Sequence, residues 1–189
     1  MSGAPARVFV GLPLPTELAQ PLAAATAACL PVDAFRLTPA ADLHLTLAFL
    51  GDVVRTRLDG LAQQLNAACA TCAAPTLELG TPGAFPEVRA ARVLWVGVRE
   101  GEPGRLAALH AAVGAASARA GLAPAQERFH PHVTVARPRR AGTPVPPDFL
   151  ALVPRGSFVP AATVLFESRP ASGPGRYLPL ARAGFREIS

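Results

Sequence analysis

Cysteine, charge and long apolar runs are all scarce in this 189-residue sequence, and each scarcity removes a class of protein. The three cysteines, Cys29, Cys69 and Cys72, are an odd number with no secretory start before them. That argues against a disulfide framework and for free thiols in a reducing cytoplasm. Cys69 and Cys72 form one C-x-x-C in an Ala-rich helical stretch, whereas a zinc site needs about two further ligands. No apolar run approaches the roughly 20 residues of a membrane span. Met1 to Arg7 holds no apolar core of signal-peptide length, so a soluble protein is expected. Charged residues make up only 16%, but 50% of the chain is hydrophobic, enough to build a core in one domain or two closely joined lobes.

The charge that is present is mostly positive: 18 basic residues, all arginine, stand against 13 acidic ones, for a net +5. This suits an anionic partner such as a phosphate or a nucleic acid. The arginines are scattered and form no long basic run, which equally describes a solvated surface.

Alternation marks Arg7 to Leu12 as a first strand. Thr16 is the expected N-cap of a helix that runs to about Cys29 and ends before Pro31. Short strand character at Phe35 to Leu37 precedes a clear strand at Leu43 to Leu50. There His44, Thr46 and Ala48 share one face, and Leu43, Leu45, Leu47 and Phe49 the other. Arg57 to Cys72 has helical spacing. Thr76 to Leu79 and Arg92 to Val98 read as strands joined by a connection rich in proline and glycine, T-P-G-A-F-P. A helix from about Pro103 to Ala120 ends at Gly121, a natural C′ residue. After Pro124, a second alternating strand is expected at Phe129 to Val135. Ser157 to Ser168 and Arg176 to Ala181 read as strands linked by R-P-A-S-G-P-G. Strands and helices are mixed, with several connections too short for crossover helices, so the expected class is α+β with mainly antiparallel pairing.

One short repeat stands out. His44-Leu45-Thr46-Leu47-Ala48 matches His132-Val133-Thr134-Val135-Ala136, 88 residues later. The chain has four histidines, and two of them open this pattern. On average composition such a coincidence is on the order of one in ten thousand. Residues i and i+2 of a strand point the same way, about 6.5–7 Å apart. Each copy is therefore a ledge with one imidazole and one hydroxyl on its free face and Leu or Val anchoring the other.

Two such ledges facing each other suit a phosphodiester. A neutral imidazole takes a proton from water while a protonated one delivers a proton to the leaving oxygen. The hydroxyls hydrogen-bond the phosphoryl oxygens as charge builds. The chemistry needs no metal. A metal site would require carboxylates or cysteines at ligand spacing; Asp42 precedes His44 by two, but the second copy has His130 at that place.

These residues resemble the two-histidine HxTx phosphoesterase superfamily. More closely, they are similar to its RNA 2′,3′-cyclic phosphodiesterase branch, long labelled the 2′-5′ RNA ligase family. The stretches that carry the resemblance are R-V-F-V-G-L-P-L-P, D-L-H-L-T-L-A-F-L-G-D-V, G-A-F-P with R-V-L-W-V-G-V, F-H-P-H-V-T-V-A-R, V-L-F-E-S and G-R-Y-L-P-L. The resemblance implies an α+β fold with residues 1–189 as a single bilobal domain. It implies two mainly antiparallel sheets with pseudo-twofold symmetry, helices on the outside and an active-site cleft between the sheets. The implied reaction opens a terminal 2′,3′-cyclic phosphate to a 2′-phosphate without metal or cofactor. Carried over, His44 donates a proton to the leaving 3′ oxygen, His132 activates water, and Thr46 and Thr134 hold the phosphate.

Arg137 matches the arginine that often closes the second block and is expected on phosphate or ribose, although a regular strand would point it away from His132. Phe9 has two readings, a cleft residue that stacks on a base and, favoured over it, a core residue. His130 stands where the family commonly has arginine, and His110 reads as a surface or packing residue of a helix. The implied partners are RNA ends or nucleotides carrying a 2′,3′-cyclic phosphate, met by a monomer in the cytoplasm. Two other readings use the same residues: ligation of 2′-5′ RNA ends by reversal of the reaction, and a non-catalytic RNA- or nucleotide-binding module.

Overall fold

A strand that alternates apolar and polar residues buries one face and frees the other, and the two His-x-Thr strands do this side by side. The structure, a computed structural model, describes residues 4–123, 128–169 and 175–186. The break expected at Pro124 and most of the loop before Gly175 lie outside the described residues. In chain order the elements are β1 (Ala6–Pro13), α1 (Thr16–Cys29), β2 (Phe35–Leu37), β3 (His44–Val53), α2 (Leu58–Cys69), β4 (Leu77–Phe85) and β5 (Val93–Glu100). They continue with α3 (Arg105–Arg119), β6 (His132–Pro138), α4 (Pro147–Leu150), β7 (Ser157–Phe158), β8 (Thr163–Ser168) and β9 (Tyr177–Ala183).

The class is α+β, and the strands pair antiparallel in the order β7-β4-β5-β6-β3-β1-β8-β9, with β2 added beside β6. The two expected sheets are present as two halves, β6-β5-β4-β7 and β3-β1-β8-β9. A pseudo-twofold axis relates them by exchanging β3 with β6 and β1 with β5. They join in one curled sheet because β3 and β6 pair at the seam through Leu45 and Val133.

Leu45, Leu47, Val133 and Val135 enter one apolar core with Leu61 and Leu65 of α2 and Leu109 and Val113 of α3. The helices therefore cover the face opposite the histidines. α3 begins where the Glu100 carboxylate accepts the backbone N–H groups of Gly104 (2.8 Å) and Leu106 (2.7 Å), a negative charge on the positive end of the helix. It ends as expected at Gly121. There φ is +72°, Gly121 N–H reaches Ala118 C=O, and Leu122 N–H reaches Ser117 C=O, both at 2.9 Å.

Several expectations are corrected. Pro15 occupies the N-cap of α1, so Thr16 is the first helical residue and caps nothing with its hydroxyl. The T-P-G-A-F-P stretch is not a connection: β4 runs through it, with Pro82 at a register shift where the interrupted ladder tolerates a residue without N–H. Ser157 to Ser168 is two strands, broken around Pro160, and β7 pairs with β4 while β8 pairs with β1 in the other half. The second ledge starts at His132, not Phe129. The four-residue helix α4 carries too short a pattern to be read from periodicity.

Candidate active site

Pairing of Leu45 with Val133 fixes what stands opposite what across the seam. In antiparallel register, His44 falls opposite Thr134 and Thr46 opposite His132. The imidazoles therefore lie on a diagonal, each facing the other strand's hydroxyl; in a regular ladder such diagonal neighbours are about 7–8 Å apart at Cα. All four side chains are half-buried on the face opposite the core.

Both imidazoles are held in the same way. Nδ1 of His44 lies 2.7 Å from the main-chain carbonyl oxygen of Asp42, and Nδ1 of His132 lies 2.6 Å from that of His130. A carbonyl oxygen only accepts, so each Nδ1 carries the proton and donates it, and each Nε2 is left with its lone pair free for chemistry. Burial pushes the His44 pKa down to about 4, against the opposing pull of the Asp42 carbonyl and with a smaller push from His132. The pKa of His132 is also lowered, by burial above all, with the His130 carbonyl opposing and the neighbouring His130 ring and Arg137 guanidinium adding smaller downward pushes.

Aromatic rings back each imidazole. Phe9 stacks on His44 at 4.7 Å and Tyr177 meets it edge-on at 5.0 Å. In the other half, Phe85 meets His132 edge-on at 5.0 Å and Trp95 lies 6.1 Å from it. The one tryptophan and the one tyrosine of the chain thus both lie against a site histidine. Gly11 lies under His44: a Cβ there would come within 2.8 Å of the Leu45 carbonyl oxygen and 3.3 Å of the His44 ring, so the strand can approach this closely only without a side chain.

A pair of matched bulges shapes the rest of the cleft. Gly11 pairs with Thr46 and Val10 with Ala48, which leaves Leu47 as an extra residue in β3. Trp95 pairs with Thr134 and Leu94 with Ala136, which leaves Val135 extra in β6. Each bulge reverses the alternation. Leu47 and Ala48 are both buried, as are Val135 and Ala136, and the next residues, Phe49 and Arg137, return to the histidine face. This is why Phe49 is 40% exposed instead of joining the core, as simple alternation required. It is also why Arg137 is close enough to depress the pKa of His132. Arg137 pairs with Arg36 across β2 and β6, and its own pKa is lowered by burial, with Tyr177 opposing and Arg176 and Arg36 adding.

A model of the 2′-5′ RNA ligase superfamily matches residues 14–158. The chain belongs to that superfamily. Among its relatives, the RNA 2′,3′-cyclic phosphodiesterase of Escherichia coli (strain K12) is 32% identical over 178 residues, 94% of this chain and 96% of that protein. The RNA 2′,3′-cyclic phosphodiesterase of Geobacillus stearothermophilus is 36% identical over 118 residues, 62% of this chain and 37% of that protein. The crystal structure of E. coli LigT complexed with 3′-AMP superposes with a TM-score of 0.79 at 31% identity, covering 97% of this chain and 99% of that one.

Within this 2′-5′ RNA ligase fold, His44, Thr46, His132, Thr134 and Arg137 share one face. Phe9 does not line the cleft. It is 3% exposed, packed in a cluster with the rings of His44 (4.7 Å), Phe166 (5.1 Å) and Tyr177 (5.0 Å), which leaves no exposed face for a base. His110 is a packing residue of α3: its ring stacks on Phe129 at 4.0 Å and 12°, and the pair lines a cavity that reaches His132. The sequence reading missed the Asp42 and His130 carbonyls, which leave no side-chain signature. It also missed Phe85, Trp95, Phe166 and Tyr177, although these lie in the G-A-F-P, R-V-L-W-V-G-V, V-L-F-E-S and G-R-Y-L-P-L stretches that carry the family resemblance. Among the described residues no three His, Cys, Asp or Glu side chains gather as a metal set, and the three cysteines are free thiols. Among the same residues no helix is long and apolar enough to cross a membrane.

Proposed function

We propose that the protein hydrolyses RNA-terminal 2′,3′-cyclic phosphates to 2′-phosphates by acid–base catalysis with its two motif histidines. The observation that carries this reading is the matched pair of Nδ1–carbonyl hydrogen bonds, which leaves both imidazoles in the same tautomer with Nε2 free. Relatives named RNA 2′,3′-cyclic phosphodiesterase support the same reaction.

In this mechanism Nε2 of His132 takes a proton from water, and the water oxygen attacks phosphorus in line with the 3′ oxygen. The P–O3′ bond breaks and His44 delivers its proton to that oxygen, leaving a 2′-phosphate. The hydroxyls of Thr46 and Thr134 donate to the non-bridging oxygens as their charge grows. Burial keeps His44 neutral in the free protein; the anionic cyclic phosphate between the imidazoles raises both pKa values and brings the donor its proton. Arg137 completes the set as a fixed positive charge toward phosphate or ribose. On this reading residues 1–189 are a single bilobal domain that acts as a cytoplasmic monomer on RNA ends or nucleotides, without metal or cofactor.

Product analysis of an RNA labelled at a 2′,3′-cyclic phosphate end tests it, with a strong chelator present. The expected product is the 2′-phosphomonoester. Chelator-sensitive activity restored by one metal, a 3′-phosphate product, or joining to a 5′-hydroxyl end in place of hydrolysis would each replace this reading.

A further inference from the structure

Arg137 does not stand alone. Arg36 of β2 is its direct partner across the antiparallel pair of β2 and β6, so the two side chains leave the same face of the sheet, and both are exposed. Cβ atoms at such positions are about 4.5–5.5 Å apart, and like charges placed there repel. A third guanidinium comes from Arg176, just before β9. Its carbonyl accepts the Arg169 N–H at 2.9 Å, and its guanidinium carbon lies 5.6 Å from the centre of the Tyr177 ring, the same ring that meets His44 edge-on. After burial, the charges of Arg176 and Arg36 are what lower the Arg137 pKa, with Tyr177 opposing, so the three arginines stand within each other's field.

Nothing described offsets these charges. The ion pairs among the described residues take up Arg55, Arg99, Arg105 and Arg169, and none of them reaches this cluster. The Arg176 Nε is shut off from solvent and has no hydrogen-bond partner among the same residues. The cluster also has a definite place on the site. From Val133 at the seam, β6 runs past Thr134 to Ala136, Arg137 and Pro138, where β2 lies beside it. The arginines therefore flank the His44 end of the seam. The cavity lined by Phe49, His110 and Phe129 leaves from the other end, past Thr46 and His132.

We propose that Arg36 and Arg176 form a second anion subsite, which holds the internal phosphodiester on the 5′ side of the terminal nucleoside while Arg137 faces the cyclic phosphate. The inference rests on the phosphodiesterase reading above and extends it: the charge of the chain behind the RNA end is read, and not only the end. Charge is the first argument. A cyclic phosphate carries one negative charge, which Arg137 already meets, and two guanidiniums remain. An anion set between them turns their repulsion into attraction. Position is the second argument. The next charge on an RNA chain is one ribose away from the cyclic phosphate, and the next guanidiniums here are the immediate neighbours of Arg137. The guanidinium fork suits phosphate oxygens, which it can meet two at a time. A merely solvated surface gives no reason for Arg36 to face Arg137, where an acidic residue would be the stabilising partner.

The experiment compares two substrates that both end in a 2′,3′-cyclic phosphate: the dinucleotide ApA, and ApA whose linkage is an uncharged methylphosphonate. Each is run with the full-length wild type and with Arg36→Gln, Arg176→Gln and the double variant. Calorimetry with the matching 2′-phosphate products, and thermal unfolding without ligand, run beside it.

The wild type is expected to favour the charged linkage at least tenfold in kcat/KM and in binding, and the double variant to reduce that ratio about tenfold. Loss of Arg36 removes a like-charge neighbour, so Arg36→Gln is expected to unfold at the wild-type temperature or above it. A wild type that treats the two linkages alike, a preference that survives the double substitution, or an Arg36→Gln protein that unfolds earlier would overturn the subsite. A protein that opens neither ring, yet binds the charged dinucleotide with a preference that the double substitution removes, would sink the phosphodiesterase reading and retain the subsite.

Discussion

Leu45 pairs with Val133 at the seam between the two halves of the sheet, and this pairing sets how the two imidazoles stand to each other. It brings His44 and His132 onto one diagonal, and the ladder does not continue on either side of it. On the proposed reading, the room left where the ladder stops is the room that the phosphate occupies. A fully zipped seam would close that room; an unpaired one would leave the halves without a fixed register.

If the pair works as acid and base, His44→Ala and His132→Ala each lower hydrolysis of adenosine 2′,3′-cyclic phosphate at least about a hundredfold. The double variant falls little further, because residues that act as a unit are not additive. A substrate with sulfur in place of the 3′ oxygen separates the roles, since a thiolate leaves without a proton. That substrate is expected to restore His44→Ala and not His132→Ala; rescue of the opposite variant would exchange the two assignments.

The lowered pKa values give a pH signature. In the free protein His44 titrates near pH 4 and His132 below its ordinary 6.5, so kcat/KM is expected to peak on the acid side of 6.5. The kcat profile lies at higher pH, because the bound anion raises both groups. Coincident profiles centred on neutrality would contradict this; the apparent values belong to the pair and not to either ring.

The same burial links stability to pH. Unfolded, His44 binds a proton below about 6.5; folded, it does so only near 4. Between those values the unfolded chain holds the extra proton, so stability contributed by this group is intact above pH 6.5 and declines as pH falls toward 4. The slope is at most about 1.4 kcal/mol per pH unit, read from urea midpoints, and His44→Gln is expected to flatten it.

Phe9 supports the site from behind, so Phe9→Ala is expected to cost about 3–5 kcal/mol of stability. Water then reaches the imidazole, and the His44 pKa, followed by NMR, rises toward its ordinary value. A raised KM with unchanged stability would instead indicate direct contact with substrate.

Arg137→Gln is expected to raise KM about tenfold, the loss of one charge-assisted hydrogen bond. Because the Arg137 charge holds the His132 pKa down, its removal also moves the limb of the kcat/KM profile that His132 sets to higher pH. An unchanged limb would place Arg137 outside the site.

What could be read in the sequence was whatever repeats at short range. The His-x-Thr alternation declared one apolar and one chemical face at β3 and β6, and Gly121 declared the end of α3. What could not be read involved a partner strand. Phe49 and Arg137 follow their histidines by five residues, and simple alternation sends both to the core side. An extra residue in a strand becomes a bulge only when the neighbouring strand does not match it, so Leu47 and Val135 look like ordinary core positions until β1 and β5 lie beside them.

The sequence by itself therefore determined two rigid ledges, each with an imidazole, a hydroxyl and an apolar underside, because i to i+2 periodicity is a local property of the chain. Only the tertiary structure decided that the ledges meet at Leu45 and Val133, that Asp42 and His130 carbonyls fix the tautomers, that Phe9 lies behind His44, and that Phe49 opens onto a cavity. Each of these depends on register between segments far apart in sequence, and register is settled by the packing of whole strands and not by any one of them.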